Sequence, residues 1–319
     1  AARAPRPPAP PAPPSAAARQ DAEPGEATPT ETPTTPAPAC TTLEESRAAG
    51  GGSDVDPASF PTGPTSATFA DDAIHPVAEA PAPQLPVTVE SVDGRQVEIT
   101  DVSRIIPVDL YGTLGEIVYS LGLGANVVGR DLPTGFPEAA DVPVVTGAGH
   151  ALDVEAILGL DPSVILTDAT ILTDDVRGQL ESSGIPVVYF DEARTLDGVD
   201  DRIRAVATAL GVPEQGEARV ERTDRQICAA LAAVPQDTGT PRVAFLYLRG
   251  ANIKMLFGPG SGADDLIREI GGEDAGTAIG LTQQYAPVTS EAIISAAPDA
   301  YIVMTDGLES MGGLDAMMA

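Results

Sequence analysis

A segment of this chain occurs twice, and few folds accommodate such a repeat. Residues 153–166 and 289–302 each contain a Glu-Ala-Ile run, in which the glutamate, Glu155 or Glu291, stands seven positions before a proline. The run before each proline predicts a short helix and the run after it a buried strand, because a proline just past a helix end prevents further helix. The copies start 136 residues apart, too far for a solenoid, so we predict two lobes of similar build.

From residue 85 onward, short β-rich runs alternate with amphipathic runs rich in Ala and Leu. Strands that alternate with helices indicate βα units, and βα units build parallel sheets. We therefore predict an α/β fold of two lobes with central βα sheets. The predicted strands are residues 87–92, 97–99, 105–108, 127–129, 164–167, 187–190, 243–247 and 301–304, and the predicted helices are residues 112–121, 153–159, 173–183, 199–210, 213–233, 263–270 and 290–296.

A long helix is predicted between the lobes, from Pro213 at a favourable first helical position to about residue 233. About 21 residues at ~1.5 Å per residue span roughly 30 Å, which is enough for a rigid connection. Cys228 lies on this helix among Ala and Leu, and we interpret it as a small buried side chain. The predicted organisation is a disordered tether over residues 1–84, an N-terminal α/β lobe over 85–198, an interlobe helical segment over 199–235 and a C-terminal α/β lobe over 236–319.

The second lobe is predicted to be truncated. The first copy of the repeat is followed by a predicted helix and by the strand at 187–190, whereas only 17 residues follow the second copy. By internal symmetry, the lobe of residues 236–319 is expected to lack its last helix and strand.

The first 84 residues are dominated by Pro, Ala, Thr and Glu, which cannot bury enough apolar surface to offset the entropy of ordering them. Cys40 is the residue that a lipid anchor would use, but the residues before it lack the Leu and the apolar run of lipidation signals. The chain has a formal net charge of -29, which excludes a nucleic-acid-binding role because phosphate recognition needs a basic face.

Few residues of the predicted lobes have side chains suited to ligand chemistry. His150 is the only histidine there, and it follows a glycine-rich loop at residues 146–149, a common place for a ligand. Tyr247 and Arg249 share one face of a predicted strand near its carboxyl end, where open α/β sheets bind ligands. A guanidinium beside a tyrosine stabilises the phenolate. The alternative interpretation is that none of the three binds a ligand: His150 is an ordinary loop residue, Tyr247 is packed and Arg249 is solvated.

The run Gly-Pro-Gly-Ser-Gly at residues 258–262 precedes a predicted helix, and its backbone amides are a candidate anion site. The loop lacks the Gly-Lys-Ser/Thr ending of a phosphate-binding loop. A tight turn is the simpler interpretation.

Three motifs together resemble the substrate-binding proteins of iron-siderophore, haem and cobalamin ABC importers. They are the Glu-Ala-Ile segment at 153–166, Gly-Ile-Pro-Val-Val at 184–188, and the glycine-rich loop with its following helix at 258–272. The resemblance covers residues 85–319. It implies a periplasmic-binding-protein-like fold of the helical-backbone type, in which a rigid helix joins two lobes, and it implies a protein that is not an enzyme.

Fewer residues indicate the ligand. Residues 146–150 and the pair Tyr247 and Arg249 resemble the haemin-binding (HmuT-like) branch of actinobacterial importers. The resemblance implies that His150 and Tyr247 bind the iron of ferric haem, transported as haem b, from opposite lobes, and that Arg249 supports the tyrosine. Tyr phenolate and His are known ligand types for haem iron. Tyr285 resembles a further haem-pocket residue of this branch.

Glu155 and Glu291 resemble the two acidic residues, one per lobe, with which such proteins dock onto arginines of an ABC permease. Acidic residues in the first turn of a helix are also favoured by the helix dipole alone. The resemblance further implies a monomeric lipoprotein tethered to the outer face of the cell membrane, for which cell-surface haem-relay proteins are additional candidate partners.

Two alternatives stay open. Other members with this fold bind a ferric siderophore or a corrinoid, in which case His150 and Tyr247 would not bind metal. The alternative of a different class is an α/β enzyme that uses Tyr247 and Arg249 on an anionic substrate. An enzyme needs a further acid or base near the cleft, and the sequence contains no convincing candidate.

Overall fold

The computed structural model of this chain describes residues 63–68, 71–235 and 239–318. Cys40 and most of the predicted tether, residues 1–84, lie outside the described residues. Within the part of the chain that is described, none of the helices combines the length and the apolarity that crossing a membrane requires.

Part of the predicted tether, from residue 71 onward, packs against the first lobe. The Val77 N–H donates to the Ser120 carbonyl over 2.8 Å, and the Gln84 N–H donates to the Gly211 carbonyl over 2.7 Å. Gly211 is required at this crossing, because a Cβ atom there would lie 2.7 Å from the Gln84 oxygen. The folded part of the chain therefore begins before residue 85, since this segment pairs its backbone with the lobe.

The first lobe is built on a parallel sheet whose strands are buried along their whole length. The strands of the lobe are β1 (Val87–Glu90), β2 (Gln96–Ile99), β3 (Ile105–Val108), β4 (Val164–Asp168) and β5 (Val187–Phe190). The sheet has the order β3-β4-β5, and β1 and β2 form a separate antiparallel hairpin. Continuous burial is typical of parallel sheets, because helices cover both faces.

The strand predicted at residues 127–129 is wrong. A 3₁₀ turn at Gly124–Asn126 brings the chain back towards β3, and Val127 then forms only an isolated bridge with Ile105. One residue alongside an edge does not make a strand.

The predicted interlobe segment, residues 199–235, is helical but is not free of the first lobe. Ile203 and Val206 of α4 and Val220 of α5 are buried in the core of the first lobe. Cys228, on α5, is fully buried and is disulfide-bonded. The helices up to this point are α1 (Thr113–Ser120), α2 (Val154–Gly159), α3 (Asp174–Ser182), α4 (Val199–Ala209) and α5 (Pro213–Ala232).

The second lobe contains a mixed sheet rather than the predicted parallel one. Its strands are β6 (Arg242–Arg249), β7 (Ile253–Phe257), β8 (Glu273–Asp274), β9 (Tyr285–Pro287) and β10 (Ala300–Val303). Strands β8 and β10 run parallel to β6, whereas β7 is antiparallel to both β6 and β9. The tight turn at Gly250, whose φ of 55° suits glycine, lets β6 fold straight back as a hairpin.

Short helices surround this sheet. They are α6 (Ala263–Glu269), α7 (Ala275–Ala278), α8 (Ser290–Ala296), α9 (Thr305–Ser310) and α10 (Gly313–Met318). The core of the lobe consists mainly of side chains from β6, β7 and the helices packed on them.

The structure builds both copies of the repeat alike, as predicted. Helix α2 is followed by β4, and helix α8 is followed by β10. The side chains of Asp153 and Thr289 cap the two helices, and each accepts a hydrogen bond from the backbone N–H three residues on. Asp161 and Ala297, which precede the two prolines, both have left-handed backbone angles, with φ of 47° and 40°. The two lobes thus share a specific corner from helix to strand.

A matching arginine holds the end of the helix in each copy. Arg104, just before β3, donates from Nε to the Leu160 and Asp161 carbonyls at the end of α2, over 3.1 and 2.8 Å. Arg242, at the start of β6, donates from Nη1 to the Ala296 carbonyl at the end of α8, over 3.0 Å. These guanidinium groups satisfy carbonyls that a helix leaves unpaired at its carboxyl end.

The lobes differ at one edge. Strand β4 has a strand on each side, whereas β10 pairs within the described residues with β6 alone. Tyr301 and Ile302 of β10 are consequently exposed.

Candidate ligand-binding cleft

His150 lies in the segment between α1 and α2 and has a strained backbone. It ends a 3₁₀ turn, Ala148–His150, and has a φ of 63°, a left-handed value that is uncommon for residues other than glycine. Its imidazole is half-buried and forms no hydrogen bond with the residues that the structure describes. Backbone strain of this kind is concentrated at functional sites, so the left-handed turn supports the prediction that His150 has a ligand-binding role.

Tyr247 and Arg249 lie on the predicted face of β6. Leu246 and Leu248 are buried on the other face, whereas Tyr247 is half-buried and Arg249 is exposed at the end of the strand. The period-two pattern of the sequence thus predicted the orientation correctly. Within the described residues, Arg249 forms no ion pair, so its guanidinium is available to an anionic group.

A row of aromatic rings crosses the second-lobe sheet beside Tyr247. Phe245 on β6 stacks on Phe257 of β7, with ring centres 5.1 Å apart, and Phe257 contacts Tyr285 of β9 at 6.3 Å. Tyr247 stacks on Phe257 at 6.3 Å, nearly parallel to it. Tyr285, a predicted pocket residue, is 53% exposed at the end of this row. Phe257 was not predicted as a site residue, because the strand that carries it, β7, was not predicted either.

The first lobe contributes a tyrosine that the sequence analysis also missed. Tyr111, which follows β3, is 50% exposed, and the Arg194 guanidinium lies over its ring at 4.1 Å from the centre. Arg194 is itself held by two fully buried carboxylates, at 3.2 Å from Asp168 and 3.8 Å from Asp109. These acids lie at the carboxyl ends of β4 and β3, the end at which α/β sheets bind ligands.

The pKa of Tyr111 depends on groups from both lobes. Burial is the main cause that raises the pKa of Tyr111, and the neighbouring Tyr285 raises it further, against the lowering effect of Arg194. Tyr285 of the second lobe therefore contributes to the electrostatic environment of Tyr111 in the first. A signal for Tyr111 was present in the sequence, since it follows a buried strand, but nothing there indicated its partner in the other lobe.

The lobes are joined next to this cluster. The Leu196 N–H donates to an Asp265 carboxylate oxygen over 2.6 Å, which links the loop after β5 to α6. Gly262 lies against Arg194, and a Cβ atom there would approach the Arg194 carbonyl oxygen to 3.0 Å. The position of Arg194 therefore depends on both lobes.

The glycine-rich loop at residues 258–262 is not an anion site. The Asp264 carboxylate accepts from the Gly260 N–H over 2.9 Å and from the Gly262 N–H over 3.0 Å. The amides that an anion would use are already occupied, and a further negative charge would meet Asp264. The loop is the tight turn of the simpler interpretation.

Glu155 and Glu291 occupy equivalent positions at the surface. Each is exposed in the first turn of its helix, directly after the capped start of α2 or α8. The described residues contain no group of three His, Cys, Asp or Glu side chains placed to hold a metal ion.

Two α/β lobes that share a repeated helix-to-strand corner, with aromatic and ionisable residues on the sheet of each, define a two-lobed ligand-binding protein. The chain belongs to the family described as "Periplasmic binding protein", whose model matches residues 108–319.

Individual proteins of known structure or name are also similar to the chain. The heme binding protein HmuT is 36% identical, with a TM-score of 0.73 over 77% of this chain and 80% of HmuT. Variants of HmuT in which an arginine, a histidine or a tyrosine is replaced match with TM-scores of 0.76 to 0.77.

Two curated relatives are more distant. A cobalamin-binding protein of Halobacterium salinarum is 27% identical over 240 residues, 74% of this chain. The chain spans 61% of the length of that protein. An uncharacterized ABC transporter substrate-binding lipoprotein of Bacillus subtilis, YvrC, is 25% identical over 70% of this chain and 71% of its own length.

Proposed function

We propose that this chain binds ferric haem, as haem b, between its two lobes and delivers it to the permease of an ABC importer. The observation that carries the proposal is the placement of His150 and the Tyr247–Arg249 pair on different lobes, in a chain 36% identical to the heme binding protein HmuT. The tyrosine and the arginine replaced in HmuT are two positions apart, and the replaced histidine precedes that tyrosine by 99 positions. Here the corresponding spacings are two and 97.

The chemistry of these residues suits the cargo. Imidazole and phenolate are both established ligand types for haem iron. With one ligand on each lobe, binding of the iron and closure of the lobes become a single event. Arg249 lies two residues after Tyr247 on the same face of β6, and its proposed role is to support the tyrosine in binding the iron.

The aromatic residues suit the flat, apolar porphyrin. The row from Phe245 through Phe257 to Tyr285 offers one surface on the second lobe, and Tyr111 offers another on the first. Aromatic pairs are stabilised by offset stacking in addition to the burial of area. The proposed porphyrin contacts are therefore this row on the second lobe and Tyr111 on the first.

Delivery to a permease assigns a role to the two surface glutamates. Glu155 and Glu291 are exposed at equivalent positions of two helices that the same contacts hold in place. An acidic pair of this kind meets basic residues on a partner. Membership of a periplasmic binding protein family supports a location outside the cytoplasmic membrane, and the similarity to YvrC supports an ABC importer as the partner. This transport role is favoured over the α/β enzyme.

A corrinoid is the second candidate cargo. It is supported by the 27% identity to the cobalamin-binding protein of Halobacterium salinarum. In that case the aromatic walls would contact the corrin ring, and His150 and Tyr247 would not bind the metal.

Haemin titration of the purified protein, followed by absorbance, tests the proposal. We expect a shifted Soret band that is altered in His150→Ala and in Tyr247→Ala. The matched controls are His75→Ala and Tyr301→Ala, which replace exposed residues of the same two types away from the cleft. An unshifted Soret band, or a band that neither cleft variant changes, would contradict haem ligation. Calorimetric titration with cyanocobalamin tests the second candidate on the same samples.

A further inference from the structure

An exposed apolar side chain lies one helical turn after each surface glutamate. Leu158 follows Glu155 on α2 and is 41% exposed, and Ile294 follows Glu291 on α8 and is 76% exposed. Residues three apart on a helix lie on the same face. Each lobe therefore presents an acidic group and an apolar group side by side.

A neighbouring isoleucine packs each helix onto its lobe. Ile157, the residue before Leu158, is fully buried in the first lobe, and Ile293, the residue before Ile294, packs against the core of the second. A six- or seven-residue helix can direct only part of its surface inward. Leu158 and Ile294 lie outside that part, and their exposure in both lobes is a repeated feature of the surface.

The two pairs are presented by equivalent supports. The helices have side-chain caps at their starts and are held at their ends by Arg104 and Arg242. Each helix then turns sharply into a strand of the central sheet of its lobe. The two acidic-apolar pairs are therefore rigid features related by the internal repeat of the chain.

We infer that Leu158 and Ile294, together with Glu155 and Glu291, form the surface that docks onto the membrane permease. The partner is a membrane protein whose outer face twice offers a basic residue beside an apolar depression. A repeated pair on this chain matches a partner built from two similar halves, and the net charge of -29 matches a basic face. Side chains that become fully desolvated in such depressions usually supply more of the affinity than charges that stay exposed at a rim. The inference rests on the proposed transport function.

The experiment has two arms in the cell that produces the protein. In the first, photoreactive benzoylphenylalanine replaces Leu158 or Ile294, and the crosslinked products are identified by mass spectrometry. Leu266, an apolar residue that is also exposed on a helix of the second lobe, is the control position. We expect the same integral membrane protein at positions 158 and 294 and not at 266. Crosslinks to a second copy of this chain, or equal crosslinks at all three positions, would overturn the inference.

In the second arm, the variant Leu158→Asp combined with Ile294→Asp is compared with Leu266→Asp. We expect haem uptake to fall about tenfold or more in the double variant only, with haemin affinity within about twofold of the wild type. Uptake within twofold of the wild type would overturn the inference. Crosslinking does not depend on the cargo. Crosslinks to the membrane protein without a Soret shift would therefore exclude haem as the cargo and support the docking surface. A Soret shift without membrane crosslinks would support haem as the cargo and exclude the docking surface.

Discussion

The guanidinium of Arg194 lies over the ring of Tyr111, 4.1 Å from its centre. The same guanidinium is 3.2 Å from the buried carboxylate of Asp168. A cation held by a buried acid has little freedom, so it fixes the ring that it covers. The orientation of a cleft tyrosine is thus set by charges buried behind it.

Replacement of Tyr111 tests its role as a wall of the cleft. Tyr111→Ala should weaken haemin binding about threefold to tenfold, because an aromatic contact contributes about 0.5–1.5 kcal/mol beyond burial. Tyr111→Phe retains the ring and should stay within about twofold of the wild type. The position of the Soret band should not move in either variant, since Tyr111 is not proposed to bind iron. Haemin titration measures both quantities, and an unchanged affinity in Tyr111→Ala would remove the residue from the cleft.

Replacements of Arg194 and Asp168 should have non-additive effects on the free energy of unfolding. Arg194→Met leaves the fully buried Asp168 with the more distant Arg202, at 3.8 Å, as its remaining ion-pair partner among the described residues. We expect unfolding in urea to show a loss of about 3 kcal/mol, because removal of one partner strands a buried charge. Adding Asp168→Asn to Arg194→Met should recover part of that loss. Additive losses would mean that the two residues act independently.

Arg104 should stabilise the first lobe through its hydrogen bonds to the two carbonyls at the end of α2. Arg104→Ala removes a guanidinium that serves two carbonyls, so it should lower the free energy of unfolding by about 2–3 kcal/mol. Arg104→Lys should recover little, because an ammonium group lacks the planar fork that reaches both oxygens. Urea denaturation provides the comparison, and full recovery in the lysine variant would show that charge alone matters.

Tyr189 should make stability fall at alkaline pH. Burial raises the pKa of Tyr189 to about 12, above its ordinary value of about 10. The folded state therefore favours the neutral phenol. This contribution is fully present below about pH 10 and is lost as the pH rises towards 12, because the unfolded chain ionises first. Arg177 and Arg95 lower the pKa, and Glu181 and Asp93 raise it.

The variant Tyr189→Phe isolates this effect. The Tyr189 hydroxyl is buried without a hydrogen-bond partner among the described residues, so its removal should change stability at pH 7 by no more than about 1 kcal/mol. Between pH 10 and 11 the wild type should lose stability more steeply than the variant. Urea titrations at several pH values measure both slopes, and parallel curves would contradict the assignment.

Much of the local structure could be predicted from the sequence. The alternation of apolar residues in β6 placed Tyr247 and Arg249 on one face, and the predicted long helix at 213–233 is observed as Pro213–Ala232. Strand β7 was missed because its sequence is short and begins with two exposed residues, Ile253 and Lys254. The aromatic row was missed with it, since it exists only when three strands lie side by side.

The sequence by itself determined the two-lobed α/β build and the repeated helix-to-strand corner. Those properties follow from local periodicity and from prolines, which act on neighbours in the chain. Only the tertiary structure decided that Arg194 fixes Tyr111, that Asp264 occupies the amides of the glycine-rich loop and that Leu158 and Ile294 remain exposed. The physical reason is that burial and ion pairing depend on which distant segments meet, and chain spacing does not encode that directly.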